Sequence, residues 1–433
     1  MSNRAKFAIV FVVVNMHMLR NVSFSGYITV YALIAFFLLA ELIVRPRPKR
    51  RRPSWGPIVL WIWISALGFV VSLATISVAG AATGLSRFLF AVPIIFALYL
   101  FTETFEDLTA HVKTFVVFFA LASMTLPLQL VTGPIGWFAT ATDRGGMDRY
   151  SSLVGSLTSI GVVVGCYLLL TQGFPGRSRA FWMLLIAGSA AISLSKAAIA
   201  NVAIAFAIIL LINRKSFSRL VLGLGAVAVI GLCLYSYVPI VQERVDVVLV
   251  SFGIQNSSVV NYDVTAEQSL IDRLVELPRA NVAVLDTFHS PLVYLFGAGF
   301  GMGNTALVPE PDVLAPMAHN QYVELYSVFG WAGAVGLVLV LLVVLIRIAR
   351  IHHRVRMDVT RAILWAYVIL LVNAVTANGA FYQPAGASVL YLAFFLAVAP
   401  PYPQGRDGSS AIFETGPEQA MQPPPHERYR RVG

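Results

Sequence analysis

Long apolar segments separated by short polar connections dominate this sequence. Most of these segments are close to the roughly 20 mostly apolar residues that a helix needs to cross a bilayer. Because backbone groups in lipid must be satisfied within their own segment, apolar segments of this length are predicted to be helices. Hydropathy therefore predicts about 12 membrane spans, near residues 7–19, 25–44, 57–75, 84–101, 113–131, 152–171, 180–194, 197–213, 219–238, 321–346, 360–377 and 386–400.

The composition agrees with this pattern. The chain has 433 residues, of which 58% are hydrophobic and only 12% are charged, and its mean hydropathy is +0.77. A soluble protein of this composition would expose much of its apolar surface to water. We therefore expect an all-α, polytopic integral membrane protein without a separate soluble domain. Cys166 and Cys233 fall inside apolar segments, which favours small membrane- or core-facing side chains over a disulfide or a metal pair.

Basic residues form short runs between the apolar segments, although the formal net charge is +10. A nucleic-acid-binding protein would instead present a continuous basic face, so no nucleic acid partner is expected. By the positive-inside rule, the run at 45–52 lies in the cytoplasm. Alternate counting puts three more basic loops, at 177–179, 214–219 and 347–356, on the same side. Both termini are then cytoplasmic, and the first apolar segment is a retained helix rather than a signal peptide.

The same count sends one long acidic segment to the opposite, extracytoplasmic face. That segment, 239–318, contains three arginines, no lysine and nine carboxylates. Within it, residues 268–285 have apolar positions at helical spacing, which predicts an amphipathic helix on the membrane surface. The sequence thus predicts four regions: spans one to nine in 1–238, a large extracytoplasmic loop in 239–318, spans ten to twelve in 319–400, and a disordered cytoplasmic tail in 401–433.

Alternating glycines follow the amphipathic segment, at Gly297, Gly299, Gly301 and Gly303. One interpretation is a loop whose backbone amides approach a phosphate, since glycine removes the steric barrier. The spacing matches neither the dinucleotide fingerprint nor the phosphate-loop motif. A re-entrant turn is the other interpretation, and both stay open on the sequence.

His319 and Asn320 open the tenth span, with Tyr322 on the same helical face as the histidine. An imidazole titrates near neutral pH and is suited to proton transfer. An interfacial histidine beside tyrosines of an aromatic belt would look the same in the sequence. The chemistry at this position therefore depends on what lies around it.

Basic side chains on the predicted outer face are the remaining signal. Planar guanidinium groups bind phosphate oxygens through two parallel hydrogen bonds, although pairing with carboxylates or lipid headgroups is the commoner arrangement for any single one. The long loop contains no closely spaced aspartate pair that would hold a divalent ion against a diphosphate, so no metal and no cofactor are expected. The candidate diphosphate ligands are Arg144, Arg149, Lys196, Arg244 and Arg279, together with Arg273.

The block from Arg273 to His319 resembles the bacterial O-antigen ligase and O-antigen polymerase family of membrane glycosyltransferases. Family members are similar in having an arginine-bearing helix, a Pro-Leu-x-Gly-x-Gly turn and His-Asn at the start of a span. The corresponding positions here are Arg273, Pro291, Gly297, Gly299, Gly301, His319, Asn320, Gly330 and Gly333. The family often carries Ser-Arg where this chain has Ser195 and Lys196. The resemblance covers about 60 residues of the chain.

The resemblance implies a GT-C-like enzyme of the bacterial cytoplasmic membrane. It implies transfer of a glycan from undecaprenyl diphosphate to an acceptor sugar hydroxyl on the outer face, without a metal or a nucleotide sugar. Arg149, Arg273 and Lys196 would stabilise the leaving diphosphate, and His319 would act as the general base or orient the acceptor. The implied partners are the lipid-linked donor, a saccharide acceptor, membrane lipids and polysaccharide-assembly proteins.

Two other classes of protein are compatible with many spans. A transporter or flippase of lipid-linked oligosaccharide would place ionisable groups at midplane depth and show repeated halves. The sequence shows no inverted repeat, and its polar emphasis lies at one membrane face. A structural membrane scaffold would not explain why the alternating glycines from Gly297 are followed by His319 and Asn320 at the start of a span.

Overall fold

The computed structural model describes most of the chain as helices. The described residues are 1–44, 53–138, 142–144, 147–153, 155, 157–193, 195–212, 225, 232, 235–237, 239–251, 272–288, 290–300, 319–377 and 379–401. The named helices are α1 (Asn3–Asn15), α2 (Phe24–Val44), α3 (Gly56–Thr75), α4 (Val78–Leu89), α5 (Val92–Phe101), α6 (Phe105–Ser123), α7 (Thr125–Thr132), α8 (Leu157–Leu170), α9 (Gly176–Ile192), α10 (Lys196–Ile212), α11 (Pro239–Ser251), α12 (Leu277–Ala283), α13 (Leu292–Phe296), α14 (Gln321–Val355), α15 (Asp358–Asn373) and α16 (Pro384–Val398). One antiparallel hairpin joins β1 (Thr142–Arg144) to β2 (Met147–Arg149).

The prediction of a helical membrane protein is confirmed. Among the described residues, five helical stretches are long and apolar enough to cross a membrane: Phe24–Val44, Gly56–Thr75, Val78–Phe101, Phe105–Thr132 and Gln321–Val355. Shorter apolar helices cover Ile160–Gly173, Ala197–Ile212 and Pro384–Val398. The predicted span at 219–238 lies largely outside the described residues, and so does the predicted tail at 401–433.

Two spans begin earlier than hydropathy predicts, because polar caps start the helices before the apolar runs. The side chain of Ser77 accepts a hydrogen bond from Gly80 N, and α4 therefore starts at Val78 rather than near residue 84. Thr104 and Asp107 form a reciprocal capping box, so α6 starts at Phe105, ahead of the predicted 113. Hydropathy detects the apolar part of such helices and misses their polar first turns.

Helix α16 forms the centre of the bundle. All of its residues from Pro384 to Val398 are buried, and it contacts α1, α3, α5, α8, α14 and α15. A helix that is apolar all round is stable when neighbours surround it on every side. Helix α2 lies at the periphery, where Leu33, Phe36 and Ile43 are 62%, 71% and 75% exposed. An apolar face this open is suited to lipid and unfavourable in water.

Contacts between distant segments define two ends of the bundle. At one end, Arg347 Nη1 donates a hydrogen bond to Ser54 Oγ at 3.0 Å, and Ser54 N donates to Val398 O at 3.1 Å. Lys6 and Glu41 form an ion pair there. We call this the Ser54 end, because Ser54 joins the start of α3 to the last turns of α14 and α16.

At the opposite end, the beginning of α14 meets the connection between α15 and α16. Gln321 N donates to Ala374 O at 2.7 Å, and Gly379 N donates to Gln321 Oε1 at 2.6 Å. Asn15, the last residue of α1, donates through Nδ2 to Ser388 Oγ at 3.1 Å. We call this the His319 end, since His319 lies just before α14.

Candidate functional site

Asn320 fixes where α14 begins. Its Oδ1 accepts hydrogen bonds from Tyr322 N at 3.0 Å and Val323 N at 3.2 Å, which satisfies two amides that the first helical turn leaves free. His319 precedes this cap and has a φ of 47°. Few residues other than glycine adopt this left-handed conformation, and its occurrence at functional sites is well established. The cap therefore holds the imidazole-bearing residue outside the helix, at the end of the bundle.

The first turn of α14 carries a carboxylate with two neutral hydrogen-bond donors. Glu324 Oε1 accepts from the hydroxyl of Tyr382 at 2.7 Å, and its Oε2 accepts from Gln321 Nε2 at 3.1 Å. Gln321 is itself held by Gly379 N, which donates to its Oε1. Burial, together with the neighbouring Glu324 charge, raises the pKa of Tyr382 well above its ordinary value. Tyr382 therefore remains a hydroxyl donor to the carboxylate at physiological pH.

Arg87 in α4 supplies a positive charge near the Glu324 carboxylate and the Tyr382 hydroxyl. It interacts electrostatically with both Glu324 and Tyr382, and its side chain is exposed. The adjacent Phe88 is buried and lies 6.0 Å, ring centroid to ring centroid, from Tyr382. This packing positions α4 beside the first turn of α14. We call Arg87, Gln321, Glu324 and Tyr382 the Glu324 cluster.

Backbone amides of the described glycine segment are hydrogen-bonded within the protein. Gly297 N donates to Val293 O at 2.7 Å, Ala298 N to Ser327 O at 2.9 Å and Gly299 N to Val328 O at 3.0 Å. Phe300 N donates to the hydroxyl of Ser72. Over 297–300 these amides are thus already bonded, which favours the turn interpretation over a phosphate loop. Gly301 and Gly303 lie outside the described residues.

Glycine is needed here because two backbones approach each other closely. A Cβ on Gly297, whose φ is 79°, would lie 2.2 Å from Val328 O, and one on Gly330 would lie 2.3 Å from the carbonyl carbon of Leu295. Gly330 has φ 63° and ψ −172°, so it breaks the regular geometry of α14 at the point of contact. The segment containing Gly297 and Gly299 therefore packs into a kink of α14 at Gly330, about three turns below His319.

The described part of the predicted amphipathic segment, from residue 272 onward, forms three short helical pieces. A π-helical turn, Asp272–Glu276, leads into α12, which is followed by a 3₁₀ turn, Val284–Phe288. Arg279 in α12 is exposed, whereas Asn281 is buried and accepts a hydrogen bond from the hydroxyl of Ser327 in α14 at 2.5 Å. Arg273 is placed by its backbone alone, since its side chain lies outside the described residues.

The other basic candidates lie on separate segments. Arg144 and Arg149 belong to the β hairpin. Just after the hairpin, the carbonyl of Ser151 accepts a hydrogen bond from Gln129 Nε2 in α7 at 2.7 Å. Lys196 is the first residue of α10, and Arg244 lies in α11. Their side chains are outside the described residues, so their proposed contact with a diphosphate stays a prediction.

A short path of hydrogen bonds connects the start of α14 to α10. Gln321 N, at the start of α14, donates a hydrogen bond to the carbonyl of Ala374. The preceding residue, Asn373, is the last residue of α15, and its Nδ2 donates to the carbonyl of Val162 in α8 at 2.6 Å. Asn201 in α10 then donates to Gly161 O at 2.6 Å. Lys196 therefore begins a helix that is anchored to the same end of the bundle as His319.

A second histidine, His17, lies in the connection between α1 and α2. Burial, with a contribution from the charge of Arg20, lowers the pKa of His17 to about 4. The imidazole is therefore neutral at physiological pH, and Arg20, which is exposed, carries the positive charge of this connection.

Sequence reasoning therefore found part of this site. The structure brings His319, Asn320 and Tyr322 together with Gly297, Gly299 and α12 around the first turns of α14. It adds Arg87, Tyr382 and Glu324, of which Glu324 accepts hydrogen bonds from Tyr382 and Gln321. Lone ionisable residues inside apolar spans are a recognised signal of function, and that signal marks both Arg87 and Glu324. Tyr322 donates to Leu371 O at 2.9 Å and so anchors α14 to α15.

Comparison with known proteins leaves the function to be argued from this site. No family model matches the sequence, and no curated protein matches it. Among the residues that the structure describes, no group of three or more His, Cys, Asp or Glu side chains is arranged to hold a metal ion.

Proposed function

We propose that this protein is a membrane glycosyltransferase of the cell envelope. It transfers a glycan from undecaprenyl diphosphate to a hydroxyl group of a saccharide acceptor, in the manner of a surface-polysaccharide polymerase or O-antigen ligase. About 12 spans cross the bacterial cytoplasmic membrane, both termini lie in the cytoplasm, and the His319 end faces outward. The observation that carries this proposal is a histidine in the left-handed conformation, His319, which immediately precedes the Asn320 cap of α14. The first turn of the same helix carries the hydrogen-bonded carboxylate of Glu324.

The chemistry of the donor suits the residues at this end. When the bond between the anomeric carbon and the diphosphate breaks, negative charge accumulates on the leaving phosphate oxygen, and cations such as Arg149, Arg273 and Lys196 stabilise it. The acceptor hydroxyl loses its proton as its oxygen bonds to the anomeric carbon. His319 serves as the base or as the group that orients this hydroxyl. A single displacement inverts the anomeric configuration.

The decisive experiment is transfer in liposomes that contain the purified protein. The vesicles receive a synthetic glycan linked to undecaprenyl diphosphate and a saccharide acceptor, and the elongated product is quantified. We expect His319→Ala to reduce the rate at least about 100-fold, as loss of an acid–base group or of a group that orients the acceptor does. His353→Ala is the matched control, because His353 is an exposed histidine at the far end of α14, and it should transfer at the wild-type rate.

The same vesicles distinguish the transferase from a carrier. A carrier would move the intact lipid-linked glycan between leaflets and release no polyprenyl diphosphate. A transferase releases one polyprenyl diphosphate for each glycosidic bond that it forms. Full transfer by His319→Ala would remove the assignment of this histidine, and movement of intact donor without product would replace the proposal with the carrier.

A further inference from the structure

We propose that Glu324 is the group that accepts the proton of the acceptor hydroxyl, and that Tyr382, Gln321 and Arg87 position it for that step. This inference rests on the proposed function and deepens it. It also gives His319 the orienting role among the two roles that remain open for the histidine.

The location of the carboxylate supports this assignment. Glu324 lies one turn inside α14, a helix long and apolar enough to cross a membrane. A charged group in such a helix is costly to bury and is characteristic of a functional site. The residue retains some accessible surface, and it lies at the His319 end of the bundle, where α14 begins.

The carboxylate also has hydrogen-bonding capacity that the described residues do not use. Within the part of the chain that the structure describes, each of its oxygens accepts one hydrogen bond, from Tyr382 or from Gln321. An ionised carboxylate has about four lone-pair sites, so these two bonds leave one site on each oxygen. The two neutral donors fix the orientation of the carboxylate without neutralising its charge.

The charges of Arg87 and Glu324 are not joined in a direct ion pair. Arg87 acts electrostatically on Glu324, yet among the described side chains the ion pairs are Arg4 with Asp107, Lys6 with Glu41 and Arg361 with Asp358. The carboxylate of Glu324 is therefore held by neutral donors and is influenced by a cation that does not bond to it directly.

The proposed step is balanced within the transfer reaction. The oxygen of the acceptor hydroxyl forms a bond to the anomeric carbon, and the bond from that carbon to the diphosphate oxygen breaks. The electron pair of the broken bond stays with the diphosphate. The hydroxyl proton passes to an oxygen of Glu324 and is later released to water, which restores the carboxylate.

The test compares Glu324→Gln with Glu41→Gln in the liposome assay. Glu41 is a carboxylate in another membrane helix, α2, and it pairs with Lys6 at the Ser54 end. We expect Glu324→Gln to lower kcat at least about 100-fold while the KM for the lipid-linked donor changes by less than about threefold. Glu324→Asp should recover part of kcat. Glu41→Gln should have the wild-type kcat.

A pH profile separates a proton acceptor from a merely structural carboxylate. In the wild type, kcat should rise with pH while Glu324 deprotonates and then reach a plateau. The ionisable groups that face Glu324 are Arg87, from α4, and Tyr382, from the connection between α15 and α16. The residual activity of Glu324→Gln should lack this rise. An unchanged profile and a wild-type kcat in Glu324→Gln would overturn the inference.

A double variant covers the outcome in which Glu324→Gln does not fold. Gln321→Glu combined with Glu324→Gln keeps the net charge and an amide–carboxylate pair in the first turn of α14, but it moves the carboxylate away from Tyr382. We expect it to fold and to transfer at least about 100-fold more slowly. Wild-type transfer by this variant would also overturn the inference. If the wild-type protein itself transfers no glycan, the proposed function fails, and that result is distinct from either outcome.

Discussion

The two ends of the bundle treat charged side chains differently. At the Ser54 end, Glu41 forms a direct ion pair with Lys6, and Arg4 Nε lies 3.8 Å from Asp107 Oδ1. At the His319 end, Glu324 is held by a hydroxyl and an amide, with its cation at a distance. Direct pairing offsets the cost of placing a charge near lipid and stabilises the fold. Neutral donors hold a charge in place and leave it able to react.

Both ends also use the same device to begin a helix. Thr104 caps α6 at the Ser54 end, and Asn320 caps α14 at the His319 end. Only the second cap adjoins a residue in the left-handed conformation, His319. The two ends therefore allow matched variants, in which a substitution at the Ser54 end is expected to affect stability alone and its counterpart at the His319 end is expected to affect transfer.

The largest effect on stability is expected where the glycine turn packs beneath the His319 end. Gly330→Ala introduces a Cβ 2.3 Å from the carbonyl carbon of Leu295 at a φ of 63°, and we expect it to lower the free energy of unfolding by about 3 kcal/mol. Gly56→Ala, at the start of α3 near the Ser54 end, meets nothing within 4 Å and should be neutral. Thermal unfolding in detergent measures both, and equal melting temperatures would contradict this packing.

The next largest effect is expected to distinguish Arg87 at the His319 end from Lys6 at the Ser54 end. Arg87→Gln removes the charge that acts on Glu324, and we expect transfer to fall about tenfold, since an exposed charge is partly screened. Lys6→Gln leaves Glu41 without its ion-pair partner and should lower thermal stability, while the rate per folded molecule stays at the wild-type value. The two variants are compared by kcat and by melting temperature. Equal kcat values would remove the distinction between the ends.

The smallest effect is expected for the two N-terminal helix caps, Asn320 and Thr104. Asn320→Ala and Thr104→Ala should each lower the free energy of unfolding by about 1 kcal/mol, because each removes an N-terminal cap. We expect only Asn320→Ala to slow transfer as well, since it loosens the residue next to His319. Denaturation and the liposome assay together report both quantities. A loss of transfer in Thr104→Ala of the same size would show that the effect is general destabilisation.

Much of the fold follows from the sequence because it depends on local patterns. Apolar length and composition predict α2, α3 and α14 as spans, and the same helices are long and apolar enough to cross a membrane in the structure. Pro278 lies in the first turn of α12, where a missing N–H costs little. Hydropathy misplaced the starts of α4 and α6, because the polar caps Ser77 and Thr104 lie outside the apolar runs.

By itself the sequence determined that this is a helical membrane protein, and it drew attention to the segment that begins at His319. Only the tertiary structure decided what surrounds Glu324. Its hydroxyl donor, Tyr382, follows it by 58 residues, and Arg87 comes from a helix far earlier in the chain. Hydropathy and helix capping depend on residues that are close together in the chain, so they can be predicted from the sequence. The neighbours of the Glu324 carboxylate depend on how distant helices pack, which no local pattern contains.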